Sequence, residues 1–393
     1  MTQSPGAEAQ ILSTLVFPYL NHAVRMYESS YATRADIDNA MRFGCGYPAG
    51  PLTTLDELGL DTVRDALAQR YAVTGDSLHR PAELLERLVA QRRSFADLET
   101  TSDATEPQLR HAIGTVGVVG TGTMAAGIVE VFARAGYDVV YVGRSEEKTA
   151  GVRAGIEKSL DRAVAKGRLD QAAAAEVLRR LVPSTSRADL AEVDLVVEAI
   201  AEDLEVKLAL FRDLDRTCKP GTILATTTSS LPITQCADAT DRPEWVIGMH
   251  FFNPAPVMKL VEVVTTELTA PEVDETVRAL CAEVGKVAVS CGDRAGFIVN
   301  ALLFPYLNDA VRLHTESGLG LEVIDAAIKE QAGFPMGPFQ LLDVVGNDVS
   351  LAIQQELFAA FKEPGLAPAP LLEEHVRDGR LGRKTGRGFH DYR

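Results

Sequence analysis

Residues 115–136, TVGVVGTGTMAAGIVEVFARAG, carry the clearest fold signal in this chain. A short β-branched run ends in glycines, and an apolar segment with helical spacing follows at once. Gly120, Gly122 and Ala125 give the pattern G-x-G-x-x-A at that junction. The first glycine permits a tight turn, and the second lets the backbone approach a pyrophosphate that the helix N-terminus stabilises. The stretch therefore predicts the first strand and helix of a dinucleotide-binding domain.

The residues after this turn and after the next strand concern the choice of dinucleotide. Thr123 and Met124 open the helix and are predicted cofactor contacts. The second strand, DVVYV from residue 138, runs into Gly143, Arg144 and Ser145, where NAD sites usually place an acid for the ribose 2′-hydroxyl. Without that acid, Arg144 can pair with a 2′-phosphate while Ser145 donates a hydrogen bond. The sequence favours NADP(H); NAD(H) is the alternative if Arg144 is a solvated surface charge.

Further short apolar runs follow, and helical segments separate them. They are DLVVEAI, TILATT, WVIGMH and KLVEVV. Strands that alternate with helices indicate a mainly parallel sheet with helices on both faces. Residues 112–295 are therefore predicted to form a Rossmann-type, doubly wound α/β domain. The polar, acidic segment SFADLETTSDATEPQ before it is predicted to be a linker.

An internal repeat lies on either side of this domain. ILSTLVFPYLNHAVR from residue 11 matches IVNALLFPYLNDAVR from residue 298, and GYPAGPLTTLDELGLD from residue 46 matches GFPMGPFQLLDVVGND from residue 333. Both copies have apolar residues at helical spacing and a proline-containing turn. The sequence therefore predicts an α/β domain flanked by two homologous all-α domains, at residues 1–105 (with the linker) and 296–393.

One residue on each of the last two predicted strands suggests acid–base chemistry. His250 ends WVIGMH, at the carboxyl edge of the sheet where such folds bind ligands. Imidazole has an unperturbed pKa of about 6.5, so it suits proton transfer, although a lone histidine there is more often structural. Glu262 lies in the apolar run KLVEVV, where a carboxylate is costly unless it is paired. We therefore expect His250 and Glu262 to pair across the strands.

Four segments together are similar to the 3-hydroxyacyl-CoA dehydrogenase family. They are TTTSSL, GMHFFNPAPVMKLVEVV, GFIVNALLFPYLNDAVR and GRLGRKTGRGFHDY, and the resemblance runs from about residue 114 to residue 393. It implies an enzyme that moves a hydride reversibly between NAD(P) and C3 of a short acyl-CoA, such as 3-hydroxybutyryl-CoA or acetoacetyl-CoA. By this resemblance His250 is the catalytic acid or base, and Glu262 supports its charge.

The resemblance also implies roles for residues elsewhere in the chain. Ser229 would bind the substrate's 3-oxygen, although its alternative is to cap the helix LPITQCA, a task open to Ser230 as well. Asn300 would contact the substrate and the catalytic histidine. The predicted cofactor contacts are Glu202, Lys207, Asn253 and Lys384, and the predicted CoA contacts are Ser159 and Lys166.

Two residues depart from the family pattern. Ala125 stands where glycine is usual, a change that often accompanies NADP use, and Thr227 stands where the family usually has asparagine. Thr227 keeps a hydroxyl but lacks the amide, so its part in positioning the nicotinamide is open.

The N-terminal copy lacks two features of the C-terminal one. Ser13 stands in the place of Asn300, and no segment like GRKTGRGF follows. We expect this copy to be catalytically silent and to pack against the C-terminal copy as an intramolecular pseudo-dimer. Two alternatives to the acyl-CoA enzyme are a dehydrogenase of hydroxyacyl-carrier-protein thioesters and a structural relative without activity. Retention of Ser229, His250, Glu262 and Asn300 argues against the second.

Composition excludes several other classes of protein. The net charge of −16 disfavours nucleic-acid and anionic-membrane partners, because the field of the molecule repels polyanions. The five cysteines are scattered without metal-ligand spacing, so reduced thiols and no metal site are expected. The chain lacks a basic, apolar leader and an apolar run of about 20 residues, so it is expected in the cytoplasm.

Overall fold

The computed structural model describes residues 5–98 and 106–393 of the 393-residue chain. These residues form two compact units. An all-helical unit lies within residues 1–103 and 295–393, and an α/β unit lies within residues 104–294. Both helical segments of the sequence thus belong to one unit.

Helices and strands are numbered along the chain. The helices of the helical unit are α1 (Pro5–Glu28), α2 (Arg34–Cys45), α3 (Pro51–Leu58), α4 (Leu60–Thr74), α5 (Glu83–Gln91), and, after the α/β unit, α12 (Val299–Ser317), α13 (Leu321–Gln331), α14 (Pro338–Val345), α15 (Asn347–Phe361) and α16 (Pro370–Arg377). The helices of the α/β unit are α6 (Thr123–Arg134), α7 (Glu146–Ala165), α8 (Gln171–Arg179), α9 (Leu204–Thr217), α10 (Ile233–Asp238) and α11 (Pro271–Glu283). Its strands are β1 (Thr115–Val119), β2 (Asp138–Val142), β3 (Leu181–Ser184), β4 (Leu195–Glu198), β5 (Ile223–Thr226), β6 (Val246–Phe251), β7 (Leu260–Thr265) and β8 (Val287–Gly292).

The α/β unit is built on one eight-stranded sheet of the order β3-β2-β1-β4-β5-β6-β7-β8. Strands β1 to β6 are parallel, β7 is antiparallel to β6, and β8 is parallel to β7. All residues of β4 and β5 are buried, as expected for parallel strands that helices cover on both faces. The Rossmann-type fold class predicted from the sequence is confirmed.

The two strands at the edges of the sheet were missed by the sequence analysis. Strand β3 contains Pro183, and a proline in a strand argues for a loop unless the strand lies at an edge. Strand β8, VAVSCG, is only partly buried, so its pattern differs from that of the central strands. Edge position is a property of the assembled sheet, and the sequence pattern does not contain it.

The two copies in the helical unit use the same internal anchors. The N-terminal copy comprises α1–α5 and the C-terminal copy comprises α12–α16. In the first, Asn21 Nδ2 donates to the Leu78 and Arg80 carbonyls, and Asn21 Oδ1 accepts from Ala82 N at 2.8 Å. A buried amide that satisfies three backbone groups fixes the loop before α5 against α1.

The two copies pack on each other through equivalent residues. Tyr19 of α1 and Tyr306 of α12 have ring centroids 6.2 Å apart. Tyr47 stacks on its counterpart Phe334 at 3.6 Å, with an angle of 8° between the rings. When each residue meets its own counterpart, the contact has the pattern of a two-fold interface.

Both ends of the predicted linker, residues 94–108, make contacts with distant parts of the chain. Phe95 is fully buried, and its N–H donates to Asp56 at 2.8 Å, so residues 94–98 belong to the N-terminal copy. At the other end, the Gln108 N–H donates to Glu275 Oε1 of α11 at 3.2 Å. The polar character of both ends concealed contacts made with distant parts of the chain. The centre of the segment lies outside the described residues.

Candidate active site

The glycine turn after β1 has the geometry of a phosphate-binding turn. Gly120 has φ +135°, and a Cβ there would lie 2.3 Å from the Ala199 carbonyl oxygen, so only glycine fits. Gly122 is the N-cap of α6, with no heavy atom within 4 Å of the place a Cβ would take. The turn therefore leaves open space in front of the helix N-terminus, and the residues present fit a dinucleotide pyrophosphate.

Residues around this turn show why alanine is tolerated at position 125. Ala125 is fully buried, and its methyl group lies 3.3 Å from the Cβ position of Gly120. It faces the interior rather than the open space at Gly122. Thr123 is exposed and Met124 half-buried in the first turn of α6.

The end of β2 is closed to an acidic side chain. A Cβ on Gly143 would lie 2.6 Å from Thr121 Cγ2 and 2.7 Å from Thr149 Cγ2. Arg144 is exposed, and no described residue forms an ion pair with it. Ser145 caps α7 by accepting from Lys148 N at 3.3 Å, so its oxygen already has one partner.

The pairing expected for the central histidine is present. His250 and Glu262 are directly opposite in the antiparallel β6–β7 pair, and His250 Nδ1 lies 2.7 Å from Glu262 Oε2. Glu262 is 0% exposed and His250 is 8% exposed. A carboxylate so buried selects the tautomer with a proton on Nδ1 and stabilises the imidazolium ion when Nε2 takes a second proton. The Phe252 ring lies 4.7 Å from the imidazole.

Ser229 lies in the loop after β5, beside the carboxyl end of β6. Helix α10 begins at Ile233 with Pro232 as its N-cap, so neither Ser229 nor Ser230 has the capping role considered for it. The Ser229 N–H instead donates to Glu202 Oε1 at 3.1 Å. The glycine turn and the serine loop follow the carboxyl ends of β1 and β5, and His250 lies next to the last residue of β6, so all three share one edge of the sheet.

Glu202 organises this loop. Its Oε1 accepts from Thr228 Oγ1 at 2.5 Å and from Ser230 Oγ at 3.2 Å, in addition to Ser229 N. Burial alone would raise the pKa of Glu202, but the Thr228 hydrogen bond and the Lys207 charge outweigh it and lower that pKa below its usual value.

A lysine near the start of a surface helix is usually solvated, but Lys207 is buried. It is 1% exposed, and its Nζ lies 2.7 Å from Glu198 Oε1 and 3.3 Å from Glu202 Oε2. Glu198 is 0% exposed and was missed by the sequence analysis. The signal was available, because Glu198 is a carboxylate in the apolar run DLVVEAI, as Glu262 is in KLVEVV.

The other predicted contacts of the α/β unit lie at separate places. Asn253 follows β6 and is exposed. Ser159 in α7 donates to the buried Glu130 of α6 at 3.0 Å. Lys166 is the exposed C-cap of the same helix. Of the predicted CoA contacts, Lys166 therefore presents an available charge, whereas the Ser159 hydroxyl is already hydrogen-bonded.

Asn300 and Lys384 belong to the helical unit, and their part in the site stays a prediction. Asn300 is 8% exposed in the first turn of α12. Lys384 follows α16 and pairs with Asp348 at 2.5 Å. Ser13, the counterpart of Asn300, donates to the Gln10 carbonyl one turn earlier.

Residues 5–98 and 106–393 contain no group of three or more His, Cys, Asp or Glu side chains placed to hold a metal ion. Within the same residues, no helix is both long and apolar enough to span a membrane.

A glycine turn and a buried histidine–carboxylate pair at one edge of a doubly wound sheet define a dinucleotide-dependent oxidoreductase. Comparison with known families gives the same class. The NAD-binding domain of 3-hydroxyacyl-CoA dehydrogenase matches residues 115–294, and the C-terminal domain of that family matches twice, at residues 11–96 and 296–392. The chain belongs to the 3-hydroxyacyl-CoA dehydrogenase family, which confirms the resemblance seen in the sequence and the repeated helical domain.

Individual relatives agree with this assignment. The chain is 44% identical over 275 residues to the 3-hydroxybutyryl-CoA dehydrogenase of Clostridioides difficile. The aligned region covers 70% of this chain and 98% of that protein. It is 46% identical to the 3-hydroxyadipyl-CoA dehydrogenase of Escherichia coli K12, over 72% of this chain and 59% of that protein. The crystal structure of the (S)-3-hydroxybutyryl-CoA dehydrogenase of Ralstonia eutropha matches 72% of this chain and all of its own, with 39% identity and a TM-score of 0.71.

Proposed function

We propose that this oxidoreductase interconverts the 3-hydroxy and 3-keto groups of a short-chain acyl-CoA of the 3-hydroxybutyryl class. The observation that supports this most directly is the His250–Glu262 pair, with Nδ1 and Oε2 2.7 Å apart, at the sheet edge that also has the glycine turn. The relatives named for 3-hydroxybutyryl-CoA support the short chain.

The side chains divide the chemistry between them. The bound nicotinamide supplies the hydride acceptor for oxidation and the hydride donor for reduction. The His250 Nδ1–H donates a hydrogen bond to Glu262, which leaves the Nε2 lone pair available. In oxidation Nε2 takes the proton of the 3-hydroxyl group, and in reduction the protonated Nε2 returns it. Glu262 stabilises the imidazolium formed in between. The Ser229 hydroxyl donates to the 3-oxygen, where negative charge develops.

Turnover of acetoacetyl-CoA with a reduced nicotinamide, followed by its absorbance, tests this proposal. His250→Gln is expected to lower kcat by about 100-fold or more, because general acid–base catalysis contributes about that factor. Near-normal turnover of that variant would show that His250 is not the catalytic acid or base. A wild-type enzyme that turns over acetoacetyl-carrier protein but not acetoacetyl-CoA would point to the carrier-protein thioester instead.

We propose that NADP(H) is the preferred dinucleotide. Family membership supports use of a nicotinamide dinucleotide of the NAD type. The finer choice is supported by the end of β2, where the Thr121 and Thr149 methyl groups occupy the place of an acidic side chain at Gly143. Arg144, exposed beside it, supplies a positive charge for a 2′-phosphate.

Initial rates with NADPH and NADH separate the two cofactors. Arg144→Asp is expected to lower kcat/KM for NADPH by at least about tenfold and to change the value for NADH much less, because it replaces an attraction to the 2′-phosphate by a repulsion. Arg179→Asp, a change of equal charge on the exposed surface of α8, is the control. Equal losses for both cofactors in Arg144→Asp would contradict the preference.

We also propose that the N-terminal copy is a catalytically silent scaffold that completes a pseudo-dimer with the C-terminal copy. The stacking of Tyr47 on its counterpart Phe334 supports this role. A chain of residues 107–393 would expose that apolar face, and it is expected to self-associate or to lose stability. Should it be soluble, monomeric and fully active, the scaffold role would be wrong.

A further inference from the structure

We propose that Lys286 is a positioning residue of the active site: its buried ammonium group anchors the loop between β6 and β7, residues 252–259, and so fixes Asn253 relative to His250. This inference rests on the proposed function, in which His250 exchanges a proton with the substrate, and on the cofactor contact that the family resemblance implies for Asn253. Sequence analysis did not single out Lys286, because a lysine directly before a strand is usually solvated.

The ammonium group of Lys286 is enclosed and bonded to the backbone of this loop. The residue is 8% exposed, and its Nζ donates to the carbonyl oxygens of Ala255 at 2.5 Å and Met258 at 2.7 Å. Within the described part of the chain no carboxylate pairs with it. Burial lowers the pKa of Lys286 from its usual value, as expected for an ammonium group with uncharged partners. Because a buried charge is costly without hydrogen bonds, the loop carbonyls have to stay within reach of Nζ.

The backbone of Lys286 is itself held by regular structure. Its N–H donates to the Cys281 carbonyl at the end of α11, at 2.8 Å. The next residue, Val287, begins β8 and donates to the Lys259 carbonyl at 2.8 Å. The lysine therefore extends from a helix end and a paired strand, and the loop is the element that it fixes.

Helix α6 holds the same loop from the opposite side. A Cβ on Gly127 of α6 would lie 3.1 Å from Ala255 Cβ and 3.2 Å from Pro256 Cδ, and Ala255 is 2% exposed. The loop thus packs between Lys286 and the helix that follows the glycine turn. A change on either side is expected to move it.

The loop begins directly after the proposed acid–base group. Its first two residues are Phe252, whose ring lies 4.7 Å from the His250 imidazole, and the exposed Asn253. In the sheet, β1, β4 and β5 separate β6 from β2, where the adenosine ribose is expected. Asn253 is therefore expected at the nicotinamide end of the dinucleotide. A shift of the loop would displace the nicotinamide from His250 and leave the adenosine end in place.

Two variants of the full-length protein, each with a matched control, test the idea. Lys286→Met removes the N–H donors, and Arg242→Met is its control, since Arg242 also donates to backbone carbonyls, around the end of α9. Gly127→Ala adds a methyl group that the loop has to yield to by a few tenths of an ångström, although alanine favours the helix more than glycine does. Gly151→Ala is its control, because no heavy atom lies within 4 Å of that Cβ position in α7.

We expect Lys286→Met to lower kcat for acetoacetyl-CoA reduction about 100-fold, because misplacement by about 1 Å has that effect. Its dissociation constant for the reduced dinucleotide should rise about tenfold, while that for the matching ADP-ribose, which lacks the nicotinamide, should change less than about twofold. Gly127→Ala should lower kcat about tenfold without a lower temperature of unfolding. Arg242→Met should lose stability but keep kcat, and Gly151→Ala should keep both.

The difference between the two ligands separates positioning from a general loss of structure. If Lys286→Met weakens ADP-ribose binding as much as dinucleotide binding, or if Arg242→Met loses as much kcat, the positioning role is wrong. Unchanged kcat in both Lys286→Met and Gly127→Ala would contradict it as well.

A second measurement does not depend on activity. The N–H groups of Val257 and Met258 both donate to the Pro254 carbonyl inside the loop, at 2.9 and 3.0 Å. Their hydrogen exchange is expected to be at least about tenfold faster in Lys286→Met than in the wild type, and unchanged in Arg242→Met. Unchanged exchange in Lys286→Met would overturn the anchoring role. A wild type that shows this exchange pattern but does not turn over acetoacetyl-CoA would instead contradict only the proposed substrate.

Discussion

In the N-terminal copy Asp56 accepts from the backbone N–H of Phe95, and in the C-terminal copy Asp343 accepts from that of Phe389. The residues of the first pair are 39 positions apart in sequence and those of the second pair are 46 apart. The C-terminal copy therefore has seven more residues between these two equivalent contact points. Lys384 lies in this longer segment.

The copies therefore agree in their packing and differ where function is expected. Two hydrogen bonds to the loop before the last helix are equivalent for Asn21 and Asn308, whereas Asn300 is replaced by Ser13. Residues that satisfy buried backbone groups are needed in any copy that must fold. Residues that contact a ligand are needed only in the copy that does so. Comparing the copies therefore separates positions needed for the scaffold from positions expected in the site.

The largest effect is expected from exchanging the residues that distinguish the copies. Asn300→Ser is expected to lower kcat by roughly 100-fold, as the loss of one donor at a developing charge does. Ser13→Asn should leave kcat unchanged, since the N-terminal copy is expected to be silent. Steady-state kinetics with acetoacetyl-CoA measure both. Equal losses of kcat in the two variants would contradict the silent role of the N-terminal copy, because both copies would then serve catalysis.

A smaller effect, equal in the two copies, is expected at the shared anchors. Asn21→Ala and Asn308→Ala should each lower the free energy of unfolding by about 2–3 kcal/mol, because buried backbone groups of residues 80–82 and 367–369 lose their partners. Denaturant unfolding measures this. A loss in only one variant would show that the copies do not depend equally on this scaffold.

The smallest effect concerns pH and a residue that only the N-terminal copy has. Burial and the neighbouring Arg70 charge lower the pKa of His79 from its usual 6.5 to about 4. In the unfolded chain this histidine binds a proton at higher pH than in the folded protein, so stability should fall as pH drops from about 6.5 to 4, by roughly 2 kcal/mol.

The counterpart of His79 in the C-terminal copy is Leu366, which supplies a matched substitution. His79→Leu is expected to remove this part of the acid destabilisation, as measured by denaturant unfolding at several pH values between 4 and 7. A wild type and a variant with the same pH dependence would show that His79 does not titrate in this range.

Much of the site followed from local sequence. The glycine turn at 120–122 and the strand and helix around it depend on residues within a few positions of each other, and the structure has them where they were expected. His250 and Glu262 were expected to pair because a carboxylate in an apolar strand needs a partner, and the register of β6 and β7 brings them together.

The order of the central strands and helices, the repeat, the glycine turn and the residues able to carry acid–base chemistry could be read from the sequence, because each is a pattern of residue types along the chain. Other features depend on the folded chain: β3 and β8 form the edges of the sheet, Phe95 is buried, and Lys207 lies enclosed between two carboxylates. The burial and charge partners of a side chain are set by segments far away in the chain. A lysine therefore looks the same in the sequence whether its ammonium group is solvated or paired with a buried carboxylate.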